Sequence, residues 1–193
     1  MRRGLCLALT LIAAATATPA AAQSFETFKR FCLDTGGAPE VVLAALGNAG
    51  WEADPRNANL PAGSSVTLMS DPKAATPSTE MAMIGFIPTP GGLSVPVCSV
   101  MGPAVEAELV EGVTAWAGFA PVVSPQGWST WVYSVGPDRL IPQSDLVDAS
   151  DAELKAAASA RGTIYNIQVR TARAGPFLFH SSVGPDTSAP PTD

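Results

Sequence analysis

His180 is the only histidine in the 193-residue chain, and imidazole is the side chain best suited to act as a general base near neutral pH. The strand pattern around it argues for a different role. With Phe177 and Phe179 directed inward, His180 falls on the opposite face of a terminal strand, where a solvated ring is expected. No second histidine and no His/Cys cluster accompany it, so the spacing of a zinc or copper site is missing. Serines are plentiful, but a nucleophile elbow is not: Gly92-Leu93-Ser94-Val95-Pro96 has proline at the second glycine position, and Gly127-Trp128-Ser129-Thr130-Trp131 has tryptophan there. The glycine-rich phosphate loops and the H-E-x-x-H helix are also absent, which removes the usual signatures of nucleotide cofactors and zinc proteases. Asp145, Asp148, Asp151 and Glu153 lack the alternating spacing of a calcium loop, and Glu108 with Glu111 reads as a solvated helix surface. No catalytic residue, metal ligand or cofactor is therefore assigned.

Aromatic residues offer a different chemistry, the flat apolar surface that holds a ligand by stacking. Trp128, Trp131 and Tyr133 are close in sequence, and Trp51 follows a helix stop. Trp116 lies on a helical stripe and Trp131 on an apolar strand face, so both read as core. Trp128 stands just before a strand, after Pro125-Gln126-Gly127, and is the candidate ligand-binding residue for a peptide, glycan or apolar molecule.

The setting of these residues comes from the N-terminus and the cysteines. Arg2 and Arg3, an apolar stretch from Leu5 to Ala15, and Ala20-Ala21-Ala22 before Gln23 form the pattern of a secretory signal peptide over residues 1–22. Cys6 stands at the start of the apolar stretch instead of behind it and so is misplaced for a lipid anchor. Cleavage leaves Cys32 and Cys98, and in an oxidising compartment such a pair is expected to form a disulfide. It also leaves nine basic against 17 acidic side chains. The basic ones are scattered, so neither nucleic acid nor an anionic membrane surface is an expected partner. No run of 18 apolar residues follows the leader, and no integral membrane span is expected.

The elements that must carry these residues follow from periodicity. Phe25, Phe28 and Cys32 recur at helical spacing after Ser24, and Pro39 opens a second helix that ends at Gly50, which together predict an N-terminal helical hairpin. Residues 52–63 read as a loop. Strands are predicted over 65–70, 80–87 and 93–101, the third at an edge or bulged because Pro96 lacks an N–H. A helix from Pro103 carries Val105, Leu109, Val113 and Trp116, and a strand follows over 130–135. Ser150 with Glu153 forms a capping box for a helix over 151–161, and a terminal hairpin with one wet face holds Tyr165, Ile167 and Val169, then Phe177 and Phe179. The fold class is α+β: a mainly antiparallel sheet of about five or six strands with helices packed on one face. Residues 23–183 form the domain, and residues 184–193 a disordered tail.

These readings describe an exported envelope protein, periplasmic or secreted, that acts as a non-catalytic binding or interaction module for an envelope protein or small ligand. The alternatives are a small hydrolase using His180 or a carboxylate such as Asp138 or Asp145, and a structural accessory subunit.

Overall fold

The computed structural model describes residues 20–61, 64–73, 80–172 and 175–186, with side chains from Gln23 onward. The leader up to residue 19, the turn residue Ala174 and the tail from residue 187 lie outside the described residues. The chain begins with α1 (Ala20–Phe28), which runs on into a π-helical turn (Lys29–Leu33), and continues with α2 (Pro39–Asn48) and β1 (Glu52–Ala53). Three longer strands follow, β2 (Val66–Ser70), β3 (Met81–Pro88) and β4 (Ser94–Met101), and then α3 (Glu106–Ala117). The remainder is β5 (Val122–Val123), β6 (Ser129–Val135), β7 (Leu140–Pro142), α4 (Asp151–Arg161), β8 (Ile164–Ala172) and β9 (Gly175–Val183). Among the described residues, no helix is long and apolar enough to cross a membrane.

The α+β class and the antiparallel sheet are present, but the sheet has nine strands instead of five or six. Its order is β1-β2-β3-β4-β9-β8-β6-β5, with β7 beside β5 on the far edge of β6. The extra strands are the short ones: β1 and β5 hold two residues each and β7 three, too few to show an alternating pattern in sequence. The segment read as a loop contains β1 and a helical turn over Pro55–Asn59, capped by Asp54. The first helix begins four residues before Ser24, which is buried within it instead of capping its start as its position before Phe25 suggests.

Helices lie on both faces of the sheet, which corrects the one-faced expectation. On one face Phe28, Val42, Leu46, Leu109 and Val113 from the first three helices pack on Cys98, Val100, Ile167, Val169 and Leu178. On the other, Ala157 and Ala158 of α4 pack on Val95, Val97, Val132 and Phe179. Adjacent residues of β4, such as Val97 and Cys98, point to opposite faces and both are buried. β4 is therefore an interior strand, not an edge. Pro96 is tolerated there because its paired residue Phe86 sends its N–H away to Ser65 (2.9 Å). This turns the proline nitrogen toward β9, one residue beyond the Val97–Met101 ladder.

Cys32 in the π-helical turn is bonded to Cys98 at the centre of the sheet, with Cα atoms 5.5 Å apart. This bond joins the N-terminal helices to an interior strand. α4 is built as its capping box predicts: Ser150 accepts from the Glu153 N–H, and the Glu153 carboxylate accepts from the Ser150 N–H (2.8 Å).

Candidate functional site

Helix α4 has 11 residues, a length of about 16 Å. Strands β8 and β9 have nine residues each, about 30 Å. One helix therefore covers only part of its face of the sheet, whereas three elements cover the other. The uncovered part is a concave cavity of about 340 Å³.

The register of the terminal hairpin sets what lines it. Ile167 pairs with His180 and Val169 with Leu178, so these four share the face under the N-terminal helices. Asn166, Gln168 and Arg170 then fall on the α4 face, beside Ser181, Phe179 and Phe177 of β9. The predicted wet face of β8 thus exists, but it forms the floor of the cavity together with Phe179 and Val132. Asn166 Oδ1 is buried there without a hydrogen-bond partner among the described residues. Native proteins seldom leave a buried acceptor unmet, because the desolvation it suffers is not offset.

Trp128 stands in the wall, as one residue of the β5–β6 hairpin. Ser124 holds it: the Trp128 N–H donates to Ser124 Oγ (3.2 Å), and the Ser124 N–H donates to the Trp128 carbonyl (2.9 Å). Gly127 permits this turn with φ +80°. The Arg170 guanidinium lies between two rings, 4.1 Å from the centroid of Trp128 and 4.3 Å from that of Phe179. Its Nε donates to Gln168 Oε1 (2.6 Å), and burial draws its pKa down from the usual guanidinium value without neutralising it. None of the ion pairs among the described residues includes Arg170.

The opposite wall is pinned at both ends. Asp151, in the first turn of α4, accepts from the Thr89 hydroxyl and from the Leu93 N–H (3.3 Å), which fastens the β3–β4 turn to the helix. A Cβ at Gly91 would collide with Asp151, so that close approach needs glycine. At the other end Arg161 donates to Gln143 and to Asp145 (3.2 Å), and Gln143 donates to Ser134 (3.1 Å) on the sheet. Leu154 and Leu146 then supply apolar wall between these anchors.

The histidine, the two carboxylates weighed with it as catalytic groups, and the remaining tryptophans are placed elsewhere. His180 is not solvated: it is 2% exposed, beneath the N-terminal helices, with its ring stacked 5.8 Å from Tyr165 and against Gly37. Burial lowers its pKa to about 4. Tyr165 continues the stack to Tyr133 (5.3 Å), and Trp116 meets Tyr133 edge-on. Burial also raises the Tyr133 pKa. Asp145 is engaged by Arg161 on the opposite side of the sheet from His180, and Asp138 occupies the β6–β7 turn. Trp51 is buried against Phe31, and Trp131 is buried with its indole N–H donating to the Phe119 carbonyl (3.2 Å). Among the described residues no group of three or more His, Cys, Asp or Glu side chains is arranged to hold a metal.

Trp128, the ligand-binding candidate from the sequence, lines the cavity, as does Asp148 of the acidic stretch. Asn166, Gln168 and Arg170 were missed as site residues, although their alternation in a strand between two others is the signal that a polar stripe has been placed inside a sheet. No family model, no curated protein and no solved structure matches the chain.

Proposed function

We propose that the protein is an exported, non-catalytic binding module that holds a small ligand in the cavity between α4 and the β5–β6 hairpin. The observation that carries this reading is Asn166 Oδ1, buried without a partner among the described residues in the floor of a concave site of mixed apolar and polar lining. Sites of this kind combine an apolar lining with a few polar groups that fix orientation. Trp128, Arg170 and Gln168 supply those at one end, and a ligand donor directed at Asn166 satisfies the acceptor. Export is supported by the leader pattern and by the Cys32–Cys98 disulfide, a bond typical of oxidising compartments.

A thermal-shift screen with small apolar acids, amides and alcohols tests the reading. A fragment present at about one hundred times its Kd stabilises the fold by about 2.7 kcal/mol. For a chain of this size that raises the Tm by roughly 5–10 °C. The shift is expected to collapse in Trp128→Ala. Stabilising fragments indifferent to Trp128→Ala, or none at all, would contradict the proposal.

A further inference from the structure

We propose that the ligand is a small monocarboxylate whose largely apolar body carries one hydrogen-bond donor, its carboxylate held by Arg170 and Gln168, its body lying over Val132 and Phe179 toward Leu154, and its donor turned to Asn166 Oδ1. This deepens the pocket reading and rests on it. Arg170 is a cation without an ion-pair partner among the described residues, half-buried between two aromatic rings. A guanidinium that faces a cavity and is engaged by its rings and its Nε, with no carboxylate paired to it among the described residues, is suited to receive an anion. The rings and the Gln168 bond fix the guanidinium by its faces and its Nε, leaving the two Nη groups as the available fork. Gln168 accepts through Oε1, so its Nε2 remains a donor beside that fork. A planar fork with an adjacent N–H matches the two oxygens of a carboxylate.

Charge favours a single negative charge. The chain carries a formal −6, and Asp148 lines the same cavity, so a multiply charged phosphate would meet one arginine against a repulsive surround. Ile164, Val95 and Leu146 supply an apolar stretch of the lining that takes a short hydrocarbon or aryl group, with Asn166, Ser181 and Ser182 as polar positions beside it.

The test is calorimetric titration with octanoate and its neutral isostere octanamide, on the wild type and on Arg170→Gln and Arg170→Lys. Octanoate is expected to bind at least tenfold more tightly than octanamide, as one charge-assisted contact requires. Arg170→Gln should bring octanoate down to the octanamide level, and Arg170→Lys, which keeps the charge without the fork, should fall between. Unfolding curves on both variants confirm that they fold, and the lysine variant carries the test if the glutamine variant does not. Equal binding of the two probes, lost in Trp128→Ala, would overturn the carboxylate while sparing the pocket. Octanoate binding that survives Arg170→Gln would also overturn it. Absence of binding by both probes, with no stabilising fragment of any class, would remove the pocket reading as well.

Discussion

At the residue scale the proposed site depends on one buried acceptor, Asn166 Oδ1, that has no partner among the described residues. Replacing a buried, unpartnered polar group by an apolar one of similar size removes a desolvation penalty, so Asn166→Leu should stabilise the empty protein by about 1 kcal/mol. The same change should weaken every fragment that donates to that oxygen. Thermal unfolding with and without fragment reads both effects, and a variant that loses stability while keeping full binding would show Asn166 to be an ordinary structural residue. Trp128 was legible because an aromatic side chain in a glycine-containing turn has little core to join. Asn166, Gln168 and Arg170 were not, because alternation tells that three side chains share a face but not what stands beside them. That depends on register, and the pairing of Gln168 with Phe179 follows from a turn whose geometry the sequence does not state. His180 departs from its expected solvation for a related reason: strand alternation tells that it lies opposite Phe177 and Phe179, but not that helical segments cover that face.

At the element scale, long periodic segments and caps were readable. The helix over Asp151–Arg161 matches its Ser150–Glu153 box and its Gly162 stop, and β2, β3 and β4 agree with the expected strands to within a residue or so. Strands of two or three residues carry no such signal, and whether a helix packs above or below a sheet is a tertiary choice that amphipathicity does not make. The disulfide was readable from cysteine number and compartment, and its place in the fold gives a prediction. Closing a loop with a sequence separation of 66 constrains the unfolded chain by about 4 kcal/mol in the entropic account. Cys32→Ala with Cys98→Ala should therefore lower urea stability by about that amount. The bond lies on the face opposite the cavity, so the fragment response of the folded variant should persist. Loss of fragment binding under conditions where the variant is fully folded would mean that the two faces are coupled.

At the scale of the whole molecule, the sheet face covered by the N-terminal helices makes acid stability a property of its interior. His180 is held neutral, with its pKa depressed from 6.5 to about 4. Above pH 6.5 neither the folded nor the unfolded state protonates it, and its contribution to stability is complete. As pH falls from 6.5 toward 4 only the unfolded state takes up the proton, and stability declines by on the order of 3 kcal/mol. Glu80, whose pKa burial raises, acts in the opposite sense, because its folded form holds a proton more readily. His180→Phe keeps a flat ring against Tyr165 and removes the titration. Its unfolding free energy should be flatter than the wild type between pH 6.5 and 4, and an identical slope would show that the histidine charges without leaving the fold. The central claim is that the partly covered face of this sheet is a ligand site, and the most direct measurement is a ¹⁵N-resolved NMR titration with the most stabilising fragment, following the four indole N–H signals and the side-chain amides. The account predicts movement of Trp128, Asn166 and Gln168 while Trp51, Trp116 and Trp131 stay in place. Shifts centred on Trp116, or none at a fragment concentration that stabilises the fold, would contradict it.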